Sequence, residues 1–179
     1  MKGKTLFITI IVSISLMACA HTNEKNQSIE STPEAATQVE FIDFGPEPFV
    51  FDIEAYTTQN ETYRTSIWTG TYMQMTVMSI PAGGDIGLEM HPDIDQFLRV
   101  EAGTGVVMMG DDENNMNFEK RVEDDFAIFI PAGKWHNLIN DSEEPLKIYS
   151  IYAPTEHPHS TVHQTQAEGI EAHATEHGQ

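Results

Sequence analysis

Between Val39 and about Pro154 the chain is a series of short apolar runs broken by glycine, proline and acidic turns, and no stretch keeps the 3.6-residue period of an amphipathic helix. Many short strands must each bury one face, which a sandwich or a closed barrel achieves. The predicted strands are Phe49–Ile53, Thr65–Thr69, Tyr72–Ile80, Gln96–Val100, Gly105–Gly110, Asn117–Val122, Ala127–Ile130, Trp135–Ile139 and Leu146–Tyr152. Within Tyr72–Ile80, Met73, Met75 and Val77 alternate with Tyr72, Gln74 and Thr76, the period-two pattern of a half-buried strand. Residues 110–115, Gly-Asp-Asp-Glu-Asn-Asn, have the composition of a hairpin tip. The expectation is a single all-β domain over residues 39–155.

The N-terminus has a different texture. Lys2 and Lys4 precede an almost wholly apolar or small run, Leu6 to Met17, and the chain's only cysteine follows at Cys19. A basic start, a short apolar core and a small-residue exit describe an export signal over residues 1–18, too short to span a bilayer. The cysteine at the exit resembles the lipobox of bacterial lipoproteins. That resemblance implies lipidation of Cys19 and anchoring to the cell envelope, at the outer membrane in a Gram-negative host. The alternative is ordinary secretion, with Cys19 lost or left as a free thiol. A lone thiol makes no internal disulfide, so the fold must rest on its core. Residues 19–38 are polar and aromatic-free and contain one proline, as a flexible tether would. The formal charge is −19. Loss of Lys2 and Lys4 with the leader makes it about −21, which argues against nucleic acid or anionic lipid as partners and leaves the anchor as the only membrane contact.

The candidate chemistry lies in two stretches. Upstream, Glu89 and His91 are two residues apart, hence on one face if extended, and Gln96 opens the next strand before Gly103 turns the chain. Downstream, Pro131, Gly133, His136 and Asn140 make P-x-G-x-x-H-x-x-x-N. Here the sequence resembles the cupin superfamily, whose motifs are G-x5-H-x-H-x3,4-E-x6-G and G-x5-P-x-G-x-x-H-x-x-x-N. The second is matched except at its opening glycine, which is Asp125; in the first, Gly83, His91 and Gly103 fall at the right spacing, Glu89 replaces the first histidine and Gln96 the glutamate. The resemblance implies a jelly-roll (double-stranded β-helix) barrel. The run EMHPDIDQFLRV and the later YAPTEHPHSTVH also look like small single-domain bacterial cupins of the mannose-6-phosphate isomerase-like group.

By that resemblance the barrel mouth holds a divalent transition metal through Glu89, His91, Gln96 and His136. One carboxylate remains among four ligands, so the net charge at the ion equals that of the usual three-histidine, one-glutamate set. An amide oxygen is a weaker, harder donor than an imidazole, which favours Mn or Fe; without Gln96, two histidines and a carboxylate are a non-haem iron set, and Zn fits the same residues with water. The competing expectation is an empty scaffold in which Glu89 and Gln96 only hydrogen-bond at a solvated mouth. Pro131 and Gly133 are expected to shape the turn presenting His136, Asn140 to cap a turn, and Trp135 to pack on the opposite face. Met73, Met75 and Phe97 are either core filling or the walls of an apolar pocket above the metal. Tyr72 and Arg99 are surface residues or recognise a substrate anion.

The remaining stretch, residues 156–179, carries His157, His159, His163, His173 and His177 and is expected to be a polar tail. By resemblance to the small cupins its first part folds over a barrel edge, and from Ala167 it is disordered or a short helix. Functionally the chain is expected to bind or act on a small oxygenated metabolite, a sugar among them, by isomerase- or dioxygenase-type chemistry. The alternative is a non-catalytic carbohydrate- or small-ligand-binding module. Cupins often pair through edge strands, so the resemblance also implies a homodimer.

Overall fold

The computed structural model describes residues 38–176. The predicted signal, Cys19 and nearly all of the tether lie outside them. The elements in order are α1 (Ile53–Gln59), β1 (Arg64–Thr69), β2 (Gln74–Ile80), β3 (Asp95–Ala102), β4 (Thr104–Gly110), β5 (Phe118–Glu123), β6 (Ala127–Ile130), β7 (Trp135–Ile139), β8 (Leu146–Ala153), β9 (Val162–His163) and α2 (Gln166–Glu176). They form a six-stranded sheet, ordered β6-β3-β8-β2-β1-β9, and a three-stranded sheet, β5-β4-β7, with every pairing antiparallel. This is the all-β jelly-roll expected.

Strand alternation decides what lies between the sheets. Met78 and Ile80 of β2, Leu98 and Val100 of β3, and Leu146 and Ile148 of β8 point inward against Val107, Val122 and Leu138 of the small sheet, all buried. Each such aliphatic side chain contributes about 1.5–3 kcal/mol of burial. Toward the mouth the same inward rows turn polar, with Gln74 and Thr76 on β2, Gln96 on β3 and Ser150 on β8, all buried.

The other face of the large sheet carries a second cluster of Ile67, Met75, Val77 and Tyr149, with Phe97 and Ile151 partly buried beside it. Its cover is the stretch predicted as the strand Phe49–Ile53. The alternation there is genuine, since Val50 is 97 % exposed while Phe49, Phe51 and Ile53 pack inward, but the segment pairs with no strand among the described residues. Period two reports an extended chain with one covered face and says nothing of a ladder partner. Phe49 stacks on Phe44 (ring centroids 3.9 Å) and on Phe51 (4.8 Å), and Tyr56 meets Phe51 edge-on at 4.9 Å. Asp52 then stops the extension by accepting the Ala55 N–H (3.1 Å) and capping α1, a helix of 7 residues too short to have announced itself by period.

Asp43 staples this cover to the barrel. Its side chain is fully buried and accepts from the backbone N–H of Gly45 (3.0 Å), Thr69 (2.9 Å) and Ser160 (3.0 Å) and from the Thr69 hydroxyl (2.5 Å). Burial pushes its carboxyl up, but these donors and nearby His159 outweigh that and leave the pKa lowered.

The C-terminal stretch is not the solvated tail its composition suggests. His157 and His163 are buried, β9 adds to β1 at the sheet edge, and α2 follows. A signal for α2 exists in Thr-Gln-Ala-Glu, residues 165–168: the Thr165 hydroxyl accepts the Glu168 N–H (3.3 Å) and the Glu168 carboxylate accepts the Gln164 N–H (2.7 Å), a near relative of the capping box. Gly169 allows the helix to sit close, since a Cβ there would lie 2.5 Å from a ring carbon of Tyr63.

Candidate metal centre

The turn at residues 131–133 builds half the site. Gly133 takes φ +79°, which glycine adopts without strain, and its N–H donates to the His91 carbonyl (2.7 Å). His136, on β7, then pairs with Glu89 through two backbone hydrogen bonds of 2.9 and 3.1 Å, an isolated antiparallel bridge. One short turn therefore registers His91 and Glu89 against His136. Asp125, where the motif has glycine, sits at φ 69°, which explains the motif's preference; aspartate tolerates the left-handed region better than most residues.

Glu89, His91 and His136 are all buried, and one ligand atom of each lies within 4.8 Å of the others. Glu89 Oε1 stands 3.5 Å from His91 Nε2 and 3.3 Å from His136 Nε2. Ligand atoms about 2.1 Å from one ion at tetrahedral angles stand about 3.4 Å apart, so the spacing suits a first-row divalent metal. The remaining imidazole nitrogens are held from behind: His136 Nδ1 lies 2.9 Å from the Lys134 carbonyl and His91 Nδ1 lies 3.3 Å from the Glu156 carboxylate. A carbonyl behind Nδ1 selects the tautomer with its lone pair on Nε2, as a metal ligand needs. Glu89 Oε1 and His136 Nε2 are buried with no hydrogen-bond partner among the described residues, which is costly unless something else binds there.

Charge reinforces the arrangement. Burial pushes the Glu89 carboxyl up, but His136, His91 and the buried Arg64 overcome it and hold it well below the usual carboxylate range. Burial likewise disfavours a charged His91, yet Glu156 and Glu89 raise its pKa to about 9. His157 goes the other way, pushed down to about 2 by burial and by Arg64. These shifts mark His91 and Glu89 as sites where positive charge is welcome.

The fourth predicted ligand, Gln96, faces the same interior. Its Nε2 donates to Ser150 (3.1 Å), and its buried Oε1 has no hydrogen-bond partner among the described residues. Asn140 is far from ligand duty: its amide donates to the carbonyls of Ile80, Pro81 and Glu144 (2.8–3.1 Å) and accepts from Ser142, closing a turn as expected. Trp135 is half-buried, beside the buried His136.

Met73, Met75 and Phe97 do not wall this centre: of the two expected roles, Met75 and Phe97 take core filling, in the cluster on the outer face of the large sheet, and not the pocket above the metal. Gln74 and Gln96 point inward, so their neighbours Met73, Met75 and Phe97 must point out of the other face. Met73 and Met75 line an outer cavity of about 270 Å³ with Phe49, Phe51, Trp68 and Ile151. Tyr72 is 81 % exposed, and Arg99 is engaged by Asp125 and Glu101 on the outside.

The cavity that reaches the centre is lined by Arg64, Ile86, Leu88, Glu89, Ile170 and His173, and also holds about 270 Å³. Three of its features are invisible to motif spacing. Arg64 projects from the first residue of β1; α2 covers the cavity, with the His173 ring 6.3 Å from that of His91; and Glu156 backs His91. Gln74 places Glu156 by clasping the neighbouring residue, donating to the His157 carbonyl (2.9 Å) and accepting its N–H (2.8 Å). The available signal was scarcity, since Arg64 is one of only three arginines in a chain of charge −19.

The fold and the buried triad define a jelly-roll β-barrel with a candidate metal site at one end. Residues 76–152 match the family model described as "Cupin domain". The chain is 55 % identical over 130 residues to "Uncharacterized protein YrkC" of Bacillus subtilis, covering 73 % of this chain and 70 % of that one. It is 38 % identical over 111 residues to "Uncharacterized protein L612" of Acanthamoeba polyphaga mimivirus, covering 62 % and 68 %. The crystal structure of BH2720 from Bacillus halodurans superposes with TM-score 0.73 at 55 % identity, over 73 % of this chain and 99 % of that one. The chain belongs to the cupin family.

Proposed function

We propose that this cupin binds a divalent transition metal, Mn, Fe or Zn, through Glu89, His91 and His136, with Gln96 Oε1 as a fourth donor, and uses it to bind or transform a small oxygenated metabolite. The observation that carries the reading is the convergence of three buried ligand atoms at 3.3 and 3.5 Å, with both histidines oriented from behind. A bound ion supplies Lewis acidity or a centre for oxygen chemistry, which serve isomerisation and dioxygenation respectively. For isomerisation, Glu89 or Gln96, if released from the metal, would sit where a proton shuttle is needed, and Glu89 is held ionised at the cavity wall. Membership of the mannose-6-phosphate isomerase-like group, with a sugar as ligand, is one form of this proposal. A non-catalytic ligand-binding module is the second reading, favoured by α2 covering the cavity.

Elemental analysis of the purified protein is the test, with about one ion per chain expected and His91→Ala and His136→Ala losing it. A folded protein that takes up no metal, even after incubation with Mn, Fe and Zn salts, would end the metal reading. Turnover of candidate sugars, or oxygen uptake, then separates enzyme from binding module. Export, lipidation at Cys19 and homodimer formation belong to the same proposal. Detergent partitioning with the Cys19→Ser variant as control, and solution molecular mass, test them.

A further inference from the structure

The cavity beside the triad contains a cation that nothing in the proposed chemistry uses. Arg64 is only 3 % exposed, lies in the wall next to Glu89, and its Nε has no hydrogen-bond partner among the described residues. The guanidinium carbon is 5.5 Å from the Tyr63 ring centre, a cation–π distance, Tyr152 is a phenol with its pKa raised by burial, and the carboxylates of Glu89 and Glu156 act on Arg64 through their charge without an ion-pair contact among the described residues. A guanidinium carries five donors in a planar fork and cannot shed its proton, so burying it with a donor unmet calls for an acceptor in the cavity.

The local charge points to what that acceptor is. With the triad loaded, the ion contributes +2 and Arg64 +1, while Glu89 and the Glu156 carboxylate behind His91 contribute −1 each. His157 and His163, also near Arg64, are kept neutral by burial. Asp85, the next acid, is partly exposed and engaged by the amides of Asn137 and Gln166 and by the Gly87 N–H. The buried group is left with one excess positive charge, and a buried charge needs a partner. Apart from His173, whose side chain is partly exposed, the other side chains of the cavity wall, Ile86, Leu88, Ile170 and Ala174, are apolar. The cavity measures about 270 Å³ and opens to solvent past Leu88 and Ile170, which are 46 % and 54 % exposed, so the part of a ligand it encloses is small.

Resting on the metal reading above, we infer that the cavity binds a small organic monocarboxylate, its carboxylate held by the Arg64 fork beside the metal and its short apolar part against Ile86, Leu88 and Ile170 under α2. A carboxylate matches the single excess charge, whereas phosphate at neutral pH brings nearer two negative charges. Arg64 is thus the residue that decides ligand charge, while Tyr72 and Arg99 take the surface alternative expected for them.

The test is titration calorimetry on the purified protein loaded with one equivalent of Mn(II), using butyrate, its neutral isostere butyramide, and inorganic phosphate as probes. Butyrate is expected to bind at least tenfold more tightly than either of the others. Arg64→Met should keep the metal, measured by elemental analysis, and weaken butyrate binding about 10- to 100-fold, the usual range for a lost charge-assisted hydrogen bond. Arg64→Lys, which keeps the charge and loses the fork, should fall between. Equal binding of butyrate and butyramide by the wild-type protein overturns the inference without any variant, so a misfolded Arg64→Met leaves it testable. Phosphate binding more tightly than butyrate overturns the carboxylate class, and unchanged butyrate affinity in Arg64→Met overturns the role of Arg64. Failure of the wild-type protein to take up Mn(II) would instead bring down the metal reading and the inference with it, and the two failures are therefore told apart at the loading step.

Discussion

Replacing Asp43 with alanine tests whether one buried carboxylate holds the aromatic cover and the C-terminal arm to the barrel. The substitution strands three backbone N–H groups, those of Gly45, Thr69 and Ser160, and leaves the Thr69 hydroxyl to find another acceptor. Hydrogen bonds to an ionised group contribute about 1.5–3 kcal/mol, and stranding buried donors around a removed charge costs about 3–5 kcal/mol in all, with water entry bringing the lower end. For a domain of this size about 1 kcal/mol moves the melting temperature by about 2–4 °C, so the midpoint should drop by about 6–20 °C at pH 7. The pH dependence gives a second, independent check. The folded-state pKa of Asp43 is depressed, so its contribution is complete above the unfolded value of 3.8 and disappears as pH falls through the lower folded value. Urea unfolding of wild type and Asp43→Ala at pH 7 and at descending pH below 4 should therefore show the stability gap narrowing with acid. A gap under about 1 kcal/mol at pH 7, or one that stays constant down to pH 2, would refute the staple.

Metal binding should release a proton, because His91, with a pKa near 9 in the metal-free protein, must lose one to coordinate; apparent affinity for Mn(II) or Zn(II) should rise about tenfold per pH unit between about pH 6 and 9, by calorimetry in two buffers. At a free metal concentration of about 100 times Kd, the folded state gains about 2.7 kcal/mol, read as a melting shift that His136→Ala abolishes. Gly169→Val should lift α2 from Tyr63 and speed amide exchange in residues 166–176 while the barrel core stays protected, since the new Cβ would collide with the ring at 2.5 Å. Asp125→Gly should be neutral or stabilising by up to about 1 kcal/mol by denaturant midpoint, because relief of the positive φ offsets an exposed ion pair to Arg99.

What the sequence determined by itself was the class, most strand positions and the metal candidates. Strand period and turn punctuation are local properties, and eight of the nine predicted strands lie on β1 to β8 because nothing outside them had to be known. Glu89, His91 and His136 were legible because the turn that aligns them needs particular residues, glycine at Gly133 above all, and so leaves a spaced pattern. Tertiary structure alone decided the rest. The stretch 49–53 alternates like a strand, and only the absence of a neighbour makes it a cover. Met73, Met75 and Phe97 are the immediate sequence neighbours of Gln74 and Gln96, so the side each faces depends on which row the core claims, and the polar row claimed the mouth. The histidine-rich end looked solvated by composition, but Gln74, Asp43 and the edge of β1 tie it down through contacts across about 80 or more residues of sequence, which no local window contains. Arg64 stood outside every motif. Its role appears only once folding has buried it beside Glu89 and beneath α2, where a charge that would be ordinary in water demands a partner.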